Sequence, residues 1–300
     1  MRKIRLLSAA LAAVLMVCLL ASCTAGLGNP DAINDYVPDV MTWEDPETGG
    51  VFTFAYGEGD TAILVKYSGK ITSGDHVTIP EFFDQKNSKK AAETGENSEE
   101  DAIVARRKVV AIGDHAFYHL ASIVEVKIPD TVKTIGDFAF AECTELPAIT
   151  LPDAVVSVGR FAFEGCTKLT DVKLDAALET IGEFAFANCT ALESITLPEN
   201  VTELGKAAFW GDVKLAAIEM PASVTKLGAL CFYNCENLQS VKLTDNITEI
   251  GEFCFVTEKT SLKDKIDVSG LAKDGYVAQY VAAMAEPTTE AEAEAEEPAA

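Results

Sequence analysis

Phenylalanine recurs at positions 117, 140, 163, 186, 209, 232 and 255, always 23 residues after the last. Glycine keeps the same step at 113, 136, 159, 182, 205, 228 and 251, and the residue before each glycine is aliphatic, from Ile112 to Ile250. A fixed period between 20 and 50 residues marks a solenoid, in which a unit too small to bury its own apolar face relies on its neighbours. Seven units are enough to stack. At strand spacing of ~4.8 Å per unit, the seven phenylalanine rings would form a continuous spine.

The spacing inside a unit gives each residue a task. In "LESITLPEN", residues 192–200, Ile195 and Leu197 alternate with Ser194 and Thr196, the period of two expected of a strand with one buried face. Proline then ends the strand because it has no amide hydrogen for a ladder. Pro129, Pro152, Pro198 and Pro221 hold this place, with Asp175 and Thr244 in two other units. The aliphatic-glycine step supplies a second short anchor, and glycine there suits a tight turn or a positive φ.

The segments "IGDFAFAEC" (135–143), "VGRFAFEGC" (158–166) and "IGEFAFANC" (181–189), set in the pattern L-x-x-[IV]-x-[LIM]-P-x-x-[VI]-x-x-[IVL]-G-x-x-A-F-x-x-C, resemble the BspA-like, or treponemal-type, leucine-rich repeat of bacterial surface proteins. The resemblance covers residues 106–256. It implies a leucine-rich-repeat solenoid of seven 23-residue repeats, mainly short parallel β-strands with turns, closed by a β-hairpin-type N-terminal cap and a C-terminal helix. It also implies an adhesin or binding scaffold with no shared catalytic residues. "YGEGDTAILVKYSG", "VTIP" and "DGYVAQYVAAMAE" look like the strands and helix that flank such arrays.

The amino terminus carries Arg2, Lys3 and Arg5 before an apolar run from Leu6 to Leu20, the length of a secretory signal and short for a membrane span. Its end, "LASC", resembles a bacterial lipobox, so residues 1–22 read as a lipoprotein signal peptide and Cys23 as the lipidated first residue. An exported protein, lipid-anchored on the outer side of the cell membrane, is the expected product. Residues 23–50 read as an irregular tether and 51–105 as the cap, with a polar mobile insertion at 84–101, "DQKNSKKAAETGENSEED". A C-terminal cap with a helix near 275–285 should occupy 257–286, and the acidic stretch 287–300 should be disordered.

Removing residues 1–22 takes away three positive charges and no acidic residue, moving the formal charge from −23 to −26. Nucleic acid is therefore not expected as a partner, because it requires phosphate neutralisation by Lys and Arg. A monomer without cofactor is expected. Cys143, Cys166, Cys189 and Cys235 share one column and behave as small buried hydrophobes. Cys231 and Cys254 replace the alanine before the spine phenylalanine in adjacent units and are the best placed pair for a disulfide, although parallel stacking disfavours its dihedral.

Catalytic patterns are missing. His115 and His119 lie four apart, yet His115 falls in the column of Phe138, Phe161 and Phe184, and His119 in that of Glu142 and Asn188. No His-Glu pair of the metalloprotease type, nucleophile elbow or phosphate loop is present, so neither an enzyme nor a metal site is expected. The outward strand columns, Glu125, Ala148, Asp171, Ser194, Ala217, Ser240 and Lys127, Thr150, Lys173, Thr196, Glu219, Lys242, are small and polar. Binding anchors are sought elsewhere.

The residue after each spine phenylalanine runs Tyr118, Ala141, Glu164, Ala187, Trp210, Tyr233, Val256. Trp210 and Tyr233 should thus sit on neighbouring units as an aromatic pair, with Asp212 beside them in place of a cysteine, able to orient a sugar hydroxyl or a basic side chain. The alternative is that Trp210 bends inward over Ala207, which stands where other units have phenylalanine. Two functions fit: a cell-surface protein-interaction or adhesion module, and a surface lipoprotein that captures glycans or other substrates for uptake.

Overall fold

A computed structural model describes residues 40–45, 48–69, 75–86, 103–174, 177–257 and 261–284. The signal peptide, Cys23, most of the tether and the acidic tail lie outside the described residues.

The cap starts earlier than the sequence indicates. Strand β1 (Val40–Glu44) falls inside the expected tether and pairs antiparallel with β2 (Val51–Tyr56), which pairs antiparallel with β3 (Thr61–Ser68). The cause is alternation: Met41 and Trp43 point to the core, and the Trp43 ring lies 5.6 Å from that of Phe52. Strand β4 (Asp75–Thr78) follows, and β5 (Phe82–Lys86) pairs antiparallel with β6 (Ile103–Ile112). The first three residues of the expected mobile insertion, 84–86, thus belong to a strand. Backbone pairing at a sheet edge does not need apolar side chains, so composition alone does not reveal it. Residues 87–102 lie outside the described residues.

Two strand positions recur through the array. The three-to-five-residue strands are β7 (Ile123–Lys127), β9 (Ala148–Thr150), β11 (Asp171–Lys173), β14 (Ala217–Glu219) and β16 (Ser240–Lys242). The two-residue strands are β8 (Thr134–Ile135), β10 (Ser157–Val158), β12 (Thr180–Ile181), β13 (Glu203–Leu204), β15 (Lys226–Leu227) and β17 (Glu249–Ile250). The shorter set, read from sequence as a secondary anchor, builds the continuous sheet: β3, β6, β8, β10, β12, β13, β15 and β17 follow one another in parallel within an eleven-stranded sheet. The longer set is interrupted, pairing as β4 with β7, β9 with β11, and β14 with β16, and Ser194 reaches Ala217 only through an isolated bridge.

Glycine explains the tighter ladder, though not through φ. The aliphatic-glycine positions lie outside the left-handed region. A Cβ on Gly159 would instead stand 2.6 Å from the carbonyl carbon of Gly136, and one on Gly182 2.7 Å from that of Gly159. Backbones of successive turns approach too closely here for any side chain. The left-handed corner comes two residues later, at Phe138 (φ 55), Phe161 (φ 56), Phe184 (φ 55) and Ala207 (φ 55). Such a corner costs a non-glycine residue about 1–2 kcal/mol. It is held by cross-turn bonds, as where the Phe138 and Phe161 amides donate to the Arg160 and Glu183 carbonyls at 2.8 Å.

The phenylalanine spine forms as expected. All seven rings are buried, with successive centroids 4.9, 5.2, 5.2, 5.6, 5.4 and 5.4 Å apart and planes within 7° of parallel. Tyr67 of the cap continues the stack, 5.5 Å from Phe117. At the other end β18 (Ile266–Asp267) adds a strand to β16, so stacking extends beyond Val256, where the sequence pattern lapses. Helix α1 (Tyr276–Ala283) closes the array with Val277 and Val281 buried. The amide of Ile250, on the last short strand, donates to the Tyr276 hydroxyl at 2.9 Å.

Candidate functional site

A second aromatic ladder runs beside the spine and stops partway. His115 stacks on Phe138 at 4.9 Å, Phe138 on Phe161 at 4.6 Å and Phe161 on Phe184 at 4.7 Å. The next member is Ala207, which leaves the Phe184 face without a ring. Trp210, three residues later in the same turn, packs against the cluster of Phe161, Phe184, Ala187 and Ala207, with half-buried Leu230 alongside. Its placement is fixed by the backbone: the Trp210 amide donates to Ala207 at 3.0 Å, and the Trp210 carbonyl accepts from Asn188 at 2.7 Å.

The two readings of Trp210 are therefore both partly met. The indole caps the broken ladder and remains partly exposed. Tyr233 lies on the next turn, whose carbonyl accepts the Gly211 amide at 2.9 Å, but Tyr233 is buried, at 8% exposure. Trp210 presents the open surface of this pair.

Asp212 is not beside them at the surface. Its exposure is 0%, because it occupies the inward-facing cysteine column. Its Oδ1 accepts the Cys189 amide at 2.8 Å, and its Oδ2 is buried with no hydrogen-bond partner. Burial pushes its carboxyl well above the usual range, and the Cys189 amide offsets this in part. The sequence pattern contained this placement, since residue 212 shares the register of Cys166, Cys189 and Cys235.

Tyr118 and Phe138 belong to the same flank and carry no weight in the sequence reading. Tyr118 shares the column of Trp210, and its ring meets those of His115 at 5.5 Å and Phe138 at 6.3 Å edge-on. Tyr118 and Trp210 thus bracket the two ends of the ladder; Phe138 is half-buried within it, and Leu230 and Phe253 are half-buried in the same column on the turns beyond Trp210. The available signal was the phenylalanine column itself, which sequence spacing assigns to packing. A neighbouring column lines the flank with His119, Glu142, Asn188 and Asn234. His119 Nδ1 pairs with Glu142 at 2.8 Å, and Asn188 donates to Glu164 at 3.4 Å. Burial raises the Glu164 carboxyl above its ordinary value, and the Asn188 bond opposes that rise.

The two histidines are not brought to one site, since His115 stacks on the ladder while His119 faces solvent with Glu142. Burial lowers the His115 imidazole, against Asp114 and Asp137. Cys231 and Cys254 are neighbouring buried free thiols. On the longer-strand face the outward columns are exposed apart from half-buried Glu125, and elsewhere on the surface charges pair across turns, as in Lys168 with Glu145 at 2.5 Å and Lys226 with Glu249 at 3.8 Å. Exposed pairs of this kind contribute about 0.2–1 kcal/mol each. Between β7 and β9, which are not hydrogen-bonded to each other, lies an open cleft of about 290 Å³ with Lys127, Asp130 and Thr150 around Val126 and Ile149.

Comparison with protein families matches residues 110–237 and 204–270 to the BspA type leucine rich repeat region, in six copies. Among solved structures, the chain is similar to a leucine-rich repeat protein from Bacteroides ovatus, with 31% identity, a TM-score of 0.57, and coverage of 74% of this chain and 50% of that one. It spans half the length of that protein. A leucine-rich repeat protein from T. pallidum is 25% identical with a TM-score of 0.41, covering 69% of this chain and 82% of its own. A leucine rich cell surface protein from Faecalibacterium prausnitzii is 22% identical with a TM-score of 0.38, covering 70% and 72% respectively. Comparison with curated proteins gave no match. With its repeat model, spine and closing elements in agreement, the chain belongs to the BspA-type leucine-rich repeat family.

Proposed function

We propose that this protein is a non-enzymatic surface module that binds another protein through the aromatic flank centred on Trp210, and that Cys23 anchors it by lipid to the outer side of the cell membrane. The observation that carries the reading is the half-buried indole set over the broken ladder. Tryptophan buried on one side and open on the other supplies large contact area at small entropic cost, which is why it recurs at interface centres. The rigid stack beneath it limits the ordering cost of binding. The flank also carries polar groups, Asn188, Asn234 and the His119–Glu142 pair, suited to the rim of such a contact. The anchor reading is supported by the basic, apolar and "LASC" segments in succession at residues 2–23.

The test is to offer the leaderless protein and its Trp210→Ala variant to arrayed envelope proteins, extracellular-matrix proteins and glycans. Saturable binding to a protein, weakened at least tenfold by the substitution, is expected. Binding confined to glycans favours substrate capture instead and contradicts the proposal. Protein binding that ignores Trp210 removes the flank from the account.

A further inference from the structure

Between Cys143 and Cys235 the cysteine column contains one residue that is not cysteine, Asp212. Cys143, Cys166, Cys189 and Cys235 each donate the thiol to the carbonyl of a spine phenylalanine, Phe117, Phe140, Phe163 and Phe209 respectively, at 3.2–3.3 Å and an offset of 26 residues. Each of these carbonyls serves a second donor, the amide three residues on, namely Leu120, Cys143, Cys166 and Asp212. Phe186 receives its amide, from Cys189 at 3.2 Å, but the residue 26 positions later is Asp212.

A carboxylate only accepts hydrogen bonds, whereas a carboxylic acid has one O–H to donate. Asp212 already uses Oδ1 to accept from the Cys189 amide, and its Oδ2 is enclosed without a partner. A buried charge left that way is costly, while a neutral acid there completes the column. We propose that Asp212 is a pH-responsive latch between the fourth and fifth turns: as a neutral acid its Oδ2–H donates to the Phe186 carbonyl in place of the missing thiol, and as a carboxylate it loses that bond and loosens the turn that carries Trp210.

The surroundings favour the neutral form. Asp212 is buried between Cys189 on the preceding turn and Cys235 on the following one, and both thiols are themselves kept protonated by burial. Glu164 acts on Cys189 from the flank, and the Cys189 amide is the one group that favours the Asp212 carboxylate. The folded carboxyl is raised above its unfolded value of about 3.9. Its contribution is therefore fully present below about pH 4 and is lost as pH rises through the folded value. Asp212 alone therefore ties its turn most tightly in acid.

The test compares the full exported chain with Asp212→Cys, which restores the column's own donor, and with Asp212→Asn. Trp43→Phe in every chain makes the fluorescence report Trp210. The ratio of unfolding constants, wild type over Asp212→Cys, should climb about tenfold per pH unit from about pH 4 up to the folded value. Trp210 emission of the folded protein should shift at higher pH, as pH rises through the folded value, in the wild type and stay fixed in both variants. A ratio that is constant across pH overturns the proposal, as does an emission shift of equal size in Asp212→Cys. Infrared difference spectra give a readout independent of unfolding: a titrating buried carboxyl band is expected in wild type and not in Asp212→Cys, and its absence from wild type also overturns the latch.

Discussion

Phe163 and Phe186, 23 residues apart in sequence, lie with ring centroids 5.2 Å apart and planes 4° from parallel. Each interior ring of the spine has such a neighbour on both sides, so deleting one opens a cavity that adjoining turns cannot fill without losing their own register. Phe163→Ala should therefore cost about 3–5 kcal/mol. Among the described residues the Phe255 ring stacks on that of Phe232 alone, and Phe255→Ala should lower the melting temperature less. Thermal unfolding of the two variants checks this, and equal, negligible shifts contradict a continuous spine.

The glycine column gives a sharper test of stacking. Gly182→Ala would place a methyl 2.7 Å from the Gly159 backbone, with no flexible side chain to yield. A loss of at least the 1–3 kcal/mol typical of overpacking is expected, measured by denaturant unfolding. Unchanged stability would mean that the turns are farther apart than described.

Much of this architecture was legible in the sequence. The Phe117-to-Phe255 period fixed the stack, and the shared register of Cys143, Cys166 and Cys189 fixed a buried column. What a period cannot reveal is which of two short strands carries the ladder, because that depends on backbone approach at Gly159 and Gly182 rather than on apolar content. Strand β1 was hidden because Met41 and Trp43 gain their meaning only from Phe52 across the hairpin. At the candidate site, the column logic located Trp210 but was not followed through for Asp212. A lone acid among cysteines reads as a surface substitution until its burial is seen.

The Tyr276 hydroxyl ties the last short strand to the closing helix. Tyr276→Phe removes the acceptor of the Ile250 amide and should cost about 0.5–1.5 kcal/mol. Hydrogen exchange at Ile250 and Leu227 should accelerate, while exchange near Phe163 stays slow. Uniform acceleration along the chain would contradict local fraying.

Ala207→Phe supplies the ring that the ladder lacks, yet it should destabilise the protein by about 1–3 kcal/mol, because Trp210 already packs there. In a Trp210→Ala background the same change should be neutral or stabilising. A double-mutant cycle measures this coupling, and additive effects would show that the two positions do not share the space.

The central claim is that Trp210 does two jobs, capping the ladder on one side and contacting a partner on the other. The most direct measurement is the affinity of wild type and Trp210→Ala for the bound protein partner, taken at a temperature where circular dichroism shows both fully folded. The account predicts an affinity loss of about 2 kcal/mol or more, the scale of an interface hot spot, with a smaller loss of folding stability. Unchanged affinity together with a stability loss of about 3–5 kcal/mol, the scale of a core aromatic, would contradict it and assign Trp210 wholly to the core.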